Sequence, residues 1–412
     1  MFRFHGALLA ACLAVPVMAD VQSSAGIAST VCTNFVETGL TGVAPQIFRH
    51  SDGSYRIYYM GKGLASAKSS DLQTFTAESG VRLASSVTID GKTYSQTRNP
   101  WVISRQAGGF RMLFDAALSN GDSALLSATS SDGLTFSAEG VVIAGSSADI
   151  ETASGKIFLS VPTGIRLPDG RWRMYFVARG TDIESALSSD EGKTWTRESG
   201  VRISNGVDPT ILQKPAGGYR LVYTDWASST RLKRLLVADS SDGLTFTPAS
   251  TAFLSMAGSG SVVDPDVYQM PDGRYRMLLA TAASGSASTL LYSCDLPAMF
   301  QIQTSASGGN SALSLTSILT PDAMDSGKTA NLYLAARVGT QYYFHNGASW
   351  QAWTSGSLPV YAQTFVRDTL TLTPLSAANV SAYPEAALYL GYGLSEADML
   401  SGNKYQLIHT VH

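Results

Sequence analysis

The chain has 412 residues, 44% of them hydrophobic and 15% charged, with 29 Lys and Arg against 32 Asp and Glu for a formal net charge of -3. That composition belongs to a folded globular chain, long enough for one large all-β domain and a smaller one. The near-even charge balance and the lack of any Lys/Arg run argue against nucleic acid or an anionic membrane surface as a partner.

Residues 1–19 read as a signal peptide. Arg3 supplies the positive start, GALLAACLAVPVM from Gly6 the apolar core, and Val17-Met18-Ala19 a small-residue cleavage site. The mature chain would begin near Asp20, which implies a secreted or periplasmic protein. Leu9-Ala10-Ala11-Cys12 also fits a lipobox, so lipoprotein anchoring at Cys12 is the alternative; its apolar core before the cysteine is short, and cleavage is the preferred reading. No other segment approaches the ~18 apolar residues that span a bilayer. The mature chain keeps two cysteines, Cys32 and Cys294. In an oxidising compartment they are expected to pair, free buried thiols being the alternative.

Between residues 45 and 300 one phrase is written five times. An aromatic-Arg strand (YRIYYM from Tyr55, FRMLFD from Phe110, WRMYFV from Trp172, YRLVYT from Tyr219, YRMLLA from Tyr275) precedes a Ser-x-Asp turn (SSDLQTF from Ser69, SSDGLTF from Ser130, SSDEGKTW from Ser188, SSDGLTF from Ser240, SCDLPAMF from Ser293). Each phrase follows a proline, and Pro45, Pro100, Pro162, Pro209 and Pro265 lie 55, 62, 47 and 56 residues apart. A period near fifty with several short strands per repeat predicts a propeller, and the count predicts five blades. In the first repeat QIFRH, YRIYYM, LASAKSS and QTFTAES read as four antiparallel strands, with His50-Ser51-Asp52-Gly53 as the first turn; Asp169-Gly170 and Asp272-Gly273 serve that turn elsewhere. A Cys32–Cys294 bond would tie such a ring shut at its seam.

Repetition separates scaffold from site. One catalytic site has no use for five copies, so Arg56, Arg111, Arg173, Arg220 and Arg276 are expected to serve the blades. The same holds for Asp71, Asp132, Asp190, Asp242 and Asp295, whose carboxylates can cap their own turns. Function is expected where the repeats disagree.

Five blades opened by x-Pro strands resemble the glycoside hydrolase clan of arabinanases, β-xylosidases, levansucrases and invertases, and SSDEGKTW resembles the Asp-box of sialidases. The likeness covers residues 40 to 300. It implies a pocket at one end of the central channel, with an Asp from blade one, an Asp from a middle blade and a Glu from a later one. Set against that pattern, the three positions fall on Ala44, Asn99 (in Arg98-Asn99-Pro100) and Ser160. Glycoside hydrolysis ordinarily needs two carboxyls, so in this register the clan's mechanism has none of its acids.

Other carboxylates could take over. Side chains two apart on a strand share a face, which predicts axis-facing pairs Ala44/Gln46, Asn99/Trp101, Val161/Thr163, Asp208/Thr210 and Asp264/Asp266. Asp208, Asp264 and Asp266 are the candidate catalytic residues, with Asp208 or Glu151 as acid. Asn99, Trp101, Arg98, Asp115, Asp225 and Glu151 are candidate substrate contacts, Trp101 as a sugar platform. Against this, an Asp before Pro can simply cap a turn, Trp101 can pack the channel, and Asp149 and Glu151 read as surface loop residues. The mature histidines His50, His345, His409 and His412 lack metal-ligand spacing, and no metal site or cofactor is expected. A structural Ca²⁺ held by Asp208, Asp264 or Asp266 is the one ion such a channel would admit.

TSASGGNS from Thr304 reads as a linker over 304–311, dividing a propeller over 20–303 from a β domain over 312–412. In that domain ANLYLAARV, QYYFHN, ALYLGYG and KYQLIHTVH predict a small β-sandwich. Its ending, GYGLSEADMLSGNKYQLIHTVH, resembles a C-terminal module of secreted bacterial proteins. Trp350 and Trp353 read as loop aromatics, either core packing or a glycan surface. The expected whole is all-β: a five-bladed β-propeller followed by a small C-terminal β-sandwich-like domain. It is a monomer that acts on or binds an oligo- or polysaccharide at the channel mouth, or a non-catalytic relative that has lost the clan's carboxylates. A protein-interaction propeller is a third reading.

Overall fold

The computed structural model describes residues 27–28, 32–227, 233–249, 254–256, 261–271, 273–282, 289–296, 299–367 and 369–412. The signal segment, Cys12 and Asp272 lie outside them.

Five sheets form the blades of a propeller. Their innermost strands are Val43–Arg49, Lys92–Ser104, Leu159–Arg166, Gly206–Gln213 and Ser261–Gln269. The aromatic-Arg segments are the second strands, antiparallel to them. Blade two carries an extra strand, Ser86–Ile89, and blade five takes its outer strand from the N-terminus: Thr33–Thr41 pairs with Leu290–Leu296. The Cys32–Cys294 disulfide staples that pairing, so the bond closes the ring as expected.

The repeated residues serve the blades. Arg56, Arg111 and Arg173 pair with Glu78, Glu139 and Glu198 on their own blades at 2.8 to 2.9 Å. Each also donates to a carbonyl in the turn of the following blade, at Asp132, Glu191 and Asp242. Tyr58 and Tyr175 hydroxyls reach the same turns, donating to the carbonyls of Gly133 and Gly243 at 2.9 and 2.7 Å. Asp71, Asp132, Asp190 and Asp242 cap their turns by accepting backbone amides of residues two to four positions on. Asp295 departs from this pattern: its carboxylate takes Arg276 and, at 2.7 Å, the amide of Asn34, joining blade five to the closing strand.

The C-terminal region is a small two-sheet domain, with three strands in one sheet and six in the other. The stretch expected as a linker is instead half strand and half turn. Gln301–Ser307 pairs with Leu313–Thr320, and Gly308 supplies the positive φ at the bend, where a side chain would meet the Ala312 carbonyl at 2.2 Å. Trp350 and Trp353 lie in an edge strand, Trp350–Trp353, rather than a loop.

This domain packs on blade four. Arg220, whose counterparts reach the next blade's turn, pairs instead with Asp239 and with Asp322 of the C-terminal domain, 2.7 and 2.8 Å away. Lys214 donates to the Gly402 carbonyl, and the Asn403 amide donates to the Ala216 carbonyl at 3.3 Å.

Candidate functional site at the propeller axis

The five residues before the prolines share one unusual backbone state. Ala44, Asn99, Val161, Asp208 and Asp264 have φ of 50, 51, 50, 52 and 52°. That region suits glycine and is least natural for a β-branched valine. Each marks a bulge: pairing with the second strand jumps across the x-Pro dipeptide in every blade. Such a bulge re-aims side chains and frees backbone amides from the ladder. Eight of the ten residues expected to face the axis line the cavity there: Ala44, Gln46, Asn99, Val161, Thr163, Asp208, Asp264 and Asp266.

Axial side chains meet backbone amides around the ring. Asp264 Oδ2 accepts from the Ala44 amide at 3.1 Å, and Asp266 Oδ2 accepts from the Ile47 amide at 2.6 Å. Gln46 Oε1 accepts from the Val102 amide at 3.0 Å, and Asp115 Oδ1 accepts from the Val161 amide at 3.2 Å. Thr210 Oγ1 donates to Asp266 Oδ1 at 3.0 Å and accepts from the Val267 amide at 3.4 Å. Asp208 accepts the Asp264 amide. These links join blade one to two, two to three, four to five and, through Asp264 and Asp266, five to one across the seam.

Asp208, Asp264 and Asp266 come together in the axial cavity with Gln46, Asn99 and Thr163. Burial pushes the Asp208 carboxyl up, and burial together with the Asp208 charge holds Asp264 well above the usual range. The two carboxyls meet in a hydrogen bond, which requires one proton between them. Burial raises Asp266 to about 7, against the pull of the Ile47 amide and the Thr210 hydroxyl. The cavity measures about 30 Å³, room for a water or two and about a tenth of the smallest ordinary ligand pockets.

The other candidates separate. Asn99 lines the cavity and donates to Asp115 at 2.7 Å and to Ser160 Oγ at 3.0 Å. Asp115 is fully buried behind it, ion-paired with Arg98 at 2.8 Å. Thus at two of the three positions where the resemblance led us to expect acids, Asn99 and Ser160 form a neutral pair organised by Asp115, and the third is Ala44. Trp101 is not a sugar platform. It lies in the blade two–three interface, 4% exposed, edge-on to Trp172 at 5.8 Å and over Gly164. Thr210 is likewise turned from the channel, into its contact with Asp266. Asp225 pairs with Arg234 at 2.8 Å and does not line the cavity. Glu151 sits on the short hairpin of Ile150–Glu151 with Lys156–Ile157, packed against Gly180. Asp149, expected at the surface, is fully buried and held by Arg197 at 2.8 Å.

A Ca²⁺ is a poor fit to this donor set. Both oxygens of Asp266 already accept hydrogen bonds, and the Asp208–Asp264 pair shares a proton rather than presenting free anionic oxygens. Among the described residues no group of three or more His, Cys, Asp or Glu side chains is arranged to hold a metal ion.

One residue of interest was missed. Trp226, 45% exposed, follows the second strand of blade four, its amide bonded to the Asn205 carbonyl at 2.9 Å and Lys233 4.0 Å over its ring. The sequence signal was a unique Trp directly after the YRLVYTD strand, in a position where the other blades carry none.

No family model and no curated protein sequence matches the chain. Solved structures do. A thermostable family-43 glycoside hydrolase superposes with a TM-score of 0.52 at 16% identity, over 63% of this chain and 91% of that one. The α-L-arabinanase of Cellvibrio cellulosa, solved with arabinohexaose, gives 0.47 at 16% identity over 61% and 90%. A GH43_1 enzyme of Xanthomonas citri, solved with xylose, gives 0.49 at 14% over 63% and 88%. The chain carries the five-bladed propeller fold of the family-43 glycoside hydrolases.

Proposed function

We propose that this protein is an exported saccharide-binding propeller that does not hydrolyse glycosides by the two-carboxyl mechanism. The observation that carries the reading is the engagement of the axial carboxyls by the ring itself: Asp264 accepts the Ala44 amide at 3.1 Å, and Asp266 is held by the Ile47 amide and the Thr210 hydroxyl. Glycosidases separate their carboxyls by about 5–5.5 or 6.5–9.5 Å so that substrate or water fits between them. Here the cavity beside the carboxyls measures about 30 Å³, too small for a sugar ring. With Asn99 and Ser160 at two of the positions where acids were expected, the axis has hydrogen-bonding groups but no carboxyl placed for protonation and attack. A saccharide would lie across the mouth on Arg98, Asn99 and Gln46. The disulfide supports export, since such bonds persist in oxidising compartments.

A second reading, hydrolysis by a relocated carboxylate set, is favoured by the raised Asp266 and the proton-sharing pair, because acids tuned toward neutrality cluster at catalytic sites. Calorimetric titration with neutral oligosaccharides, with product analysis of the same mixtures, separates the two. Binding without release, weakened by Asn99→Ala, supports the proposal. Release sinks it, and neither binding nor release refutes the saccharide reading itself.

A further inference from the structure

A mostly apolar recess lies in the C-terminal domain, away from the propeller axis. Its two sheets are unequal, three strands against six, so the small sheet cannot cover the whole inner face of the large one. The uncovered part belongs to the edge hairpin of Gln341–His345 with Trp350–Trp353. Trp350 pairs directly with His345, which places both on one face, and Tyr343 shares it by alternation. Tyr343 in turn pairs with Ala336, and Ala336 with Leu388, so the same face continues down to the domain's second core around Leu388 and Val411.

The result is a recess of about 490 Å³, inside the range of small-ligand pockets. Trp350 and Tyr343 form one wall, Tyr383 and Asn379 the opposite rim, and Leu388 part of the floor. Trp350 remains 37% exposed and Tyr383 52%, an unusual cost for rings that a closed sandwich would bury. His345 meets Trp350 edge-on at 5.3 Å and so fixes the indole plane.

Three features narrow the occupant. Among the described residues no charged side chain lines the recess, which argues for a neutral ligand. Its aromatic walls offer flat apolar faces. Around them stand unused hydrogen-bonding groups: the Tyr343 and Tyr383 hydroxyls make no hydrogen bond among the described residues, and Asn379 uses its carbonyl oxygen on the Ser381 amide, leaving its NH₂ free. A neutral molecule with an apolar ring face and hydroxyls at its edge matches all three.

We propose that this recess is a second binding site, for a neutral saccharide unit stacked on Trp350, an assignment that rests on the saccharide-binding reading of the chain. The test is tryptophan-fluorescence and calorimetric titration of the mature protein with neutral xylo-, arabino-, cello- and fructo-oligosaccharides. Wild type is compared with Trp350→Ala, Tyr383→Ala and the axial Asn99→Ala. Trp350 and Tyr383 are exposed, and unchanged melting temperatures establish that their variants fold. The proposal expects Trp350→Ala and Tyr383→Ala each to weaken binding of at least one sugar by about tenfold or more, with that binding retained in Asn99→Ala. Binding lost only in Asn99→Ala overturns this site and leaves the axial reading standing. Anilinonaphthalene sulfonate binding that depends on Trp350, without any sugar binding, assigns an apolar ligand instead and overturns it. A dimer in sedimentation analysis that Trp350→Ala abolishes makes the recess a self-interface and also overturns it. No binding of any sugar to the wild type overturns both saccharide readings together.

Discussion

Asp264 in the fifth blade accepts a hydrogen bond from the backbone amide of Ala44 in the first, 3.1 Å away and 220 residues distant in sequence. Its neighbour Asp266 does the same for Ile47 at 2.6 Å. The two acidic residues that look most like catalysts in the sequence therefore bridge the seam of the ring, at backbone amides on the axial side of the first blade's innermost strand. Removing the acceptor at Asp266 leaves a buried amide unpaired. Asp266→Ala is expected to cost about 1–3 kcal/mol, while Asp266→Asn keeps an acceptor and loses less. Chemical denaturation of the two variants checks the ordering, and equal stability of both with wild type contradicts it.

The same carboxyl gives the protein an unusual pH dependence. A carboxyl raised in the folded state, as Asp266 is to about 7, binds protons more tightly folded than unfolded. Its contribution to stability is full at low pH and is lost as pH rises from about 4 to about 7. Asp239 works the other way: although burial raises it, Arg220 and Lys214 hold it at about 2, so its contribution appears as pH rises from about 2 to about 4. Maximum stability is expected on the acid side of neutrality. Melting temperatures across pH should show the fall toward pH 7, and Asp266→Asn should flatten that part of the curve.

The disulfide carries the other half of the seam. Cys32 and Cys294 join positions 262 residues apart, and cross-links over long loops constrain the unfolded chain most. Cys32→Ser with Cys294→Ser is expected to cost about 2–5 kcal/mol. Amide exchange should locate the first loss of protection in the Thr33–Thr41 strand. Uniform loss across all blades would mean the seam is not where the ring opens.

How much of this was legible beforehand depended on periodicity. Five prolines, five aromatic-Arg strands and five Ser-x-Asp turns were enough for the blade count, and the repetition correctly set Arg56, Arg111 and Arg173 aside as scaffold. Alternation placed eight of the ten expected residues at the axial cavity and failed for Trp101 and Thr210. Nothing in Ala44-Pro45 or Val161-Pro162 announces a left-handed φ, and nothing in the repeats announces that Trp101 packs on Trp172 or that Thr210 bonds Asp266. Asp115 was noticed as a strand-end acid, but its role in binding Asn99, Ser160 and the Val161 amide depends on three blade positions that only the closed ring brings together. The docking of Arg220 on Asp322 was equally hidden, because in sequence Arg220 is one of five alike.

Trp101 offers a clean test of its placement in the blade interface. Packed edge-on to Trp172 and only 4% exposed, it should behave as core: Trp101→Ala is expected to lose about 3–5 kcal/mol while leaving any saccharide affinity of the folded fraction unchanged. A stable variant with lost affinity would return Trp101 to the site.

Arg220 and Asp322 form a buried pair between blade four and the C-terminal domain. Breaking a buried pair from one side costs about 3–5 kcal/mol, and Asp322→Ala is expected to loosen the domain without unfolding the propeller. Small-angle scattering and limited proteolysis should report an extended, cleavable chain; an unchanged profile would mean the remaining contacts suffice.

The most direct test of the axial account is the rate of aglycone release from aryl arabinosides, xylosides and fructosides by the mature protein between pH 4 and 8. With Asp208 and Asp264 sharing one proton, and Asp266 held by Ile47 and Thr210, release should not exceed the protein-free blank at any pH. Release above the blank that disappears in Asp264→Asn or Asp266→Asn, with folding intact, would show that these carboxyls are catalytic and that the ring-bridging account of them is wrong.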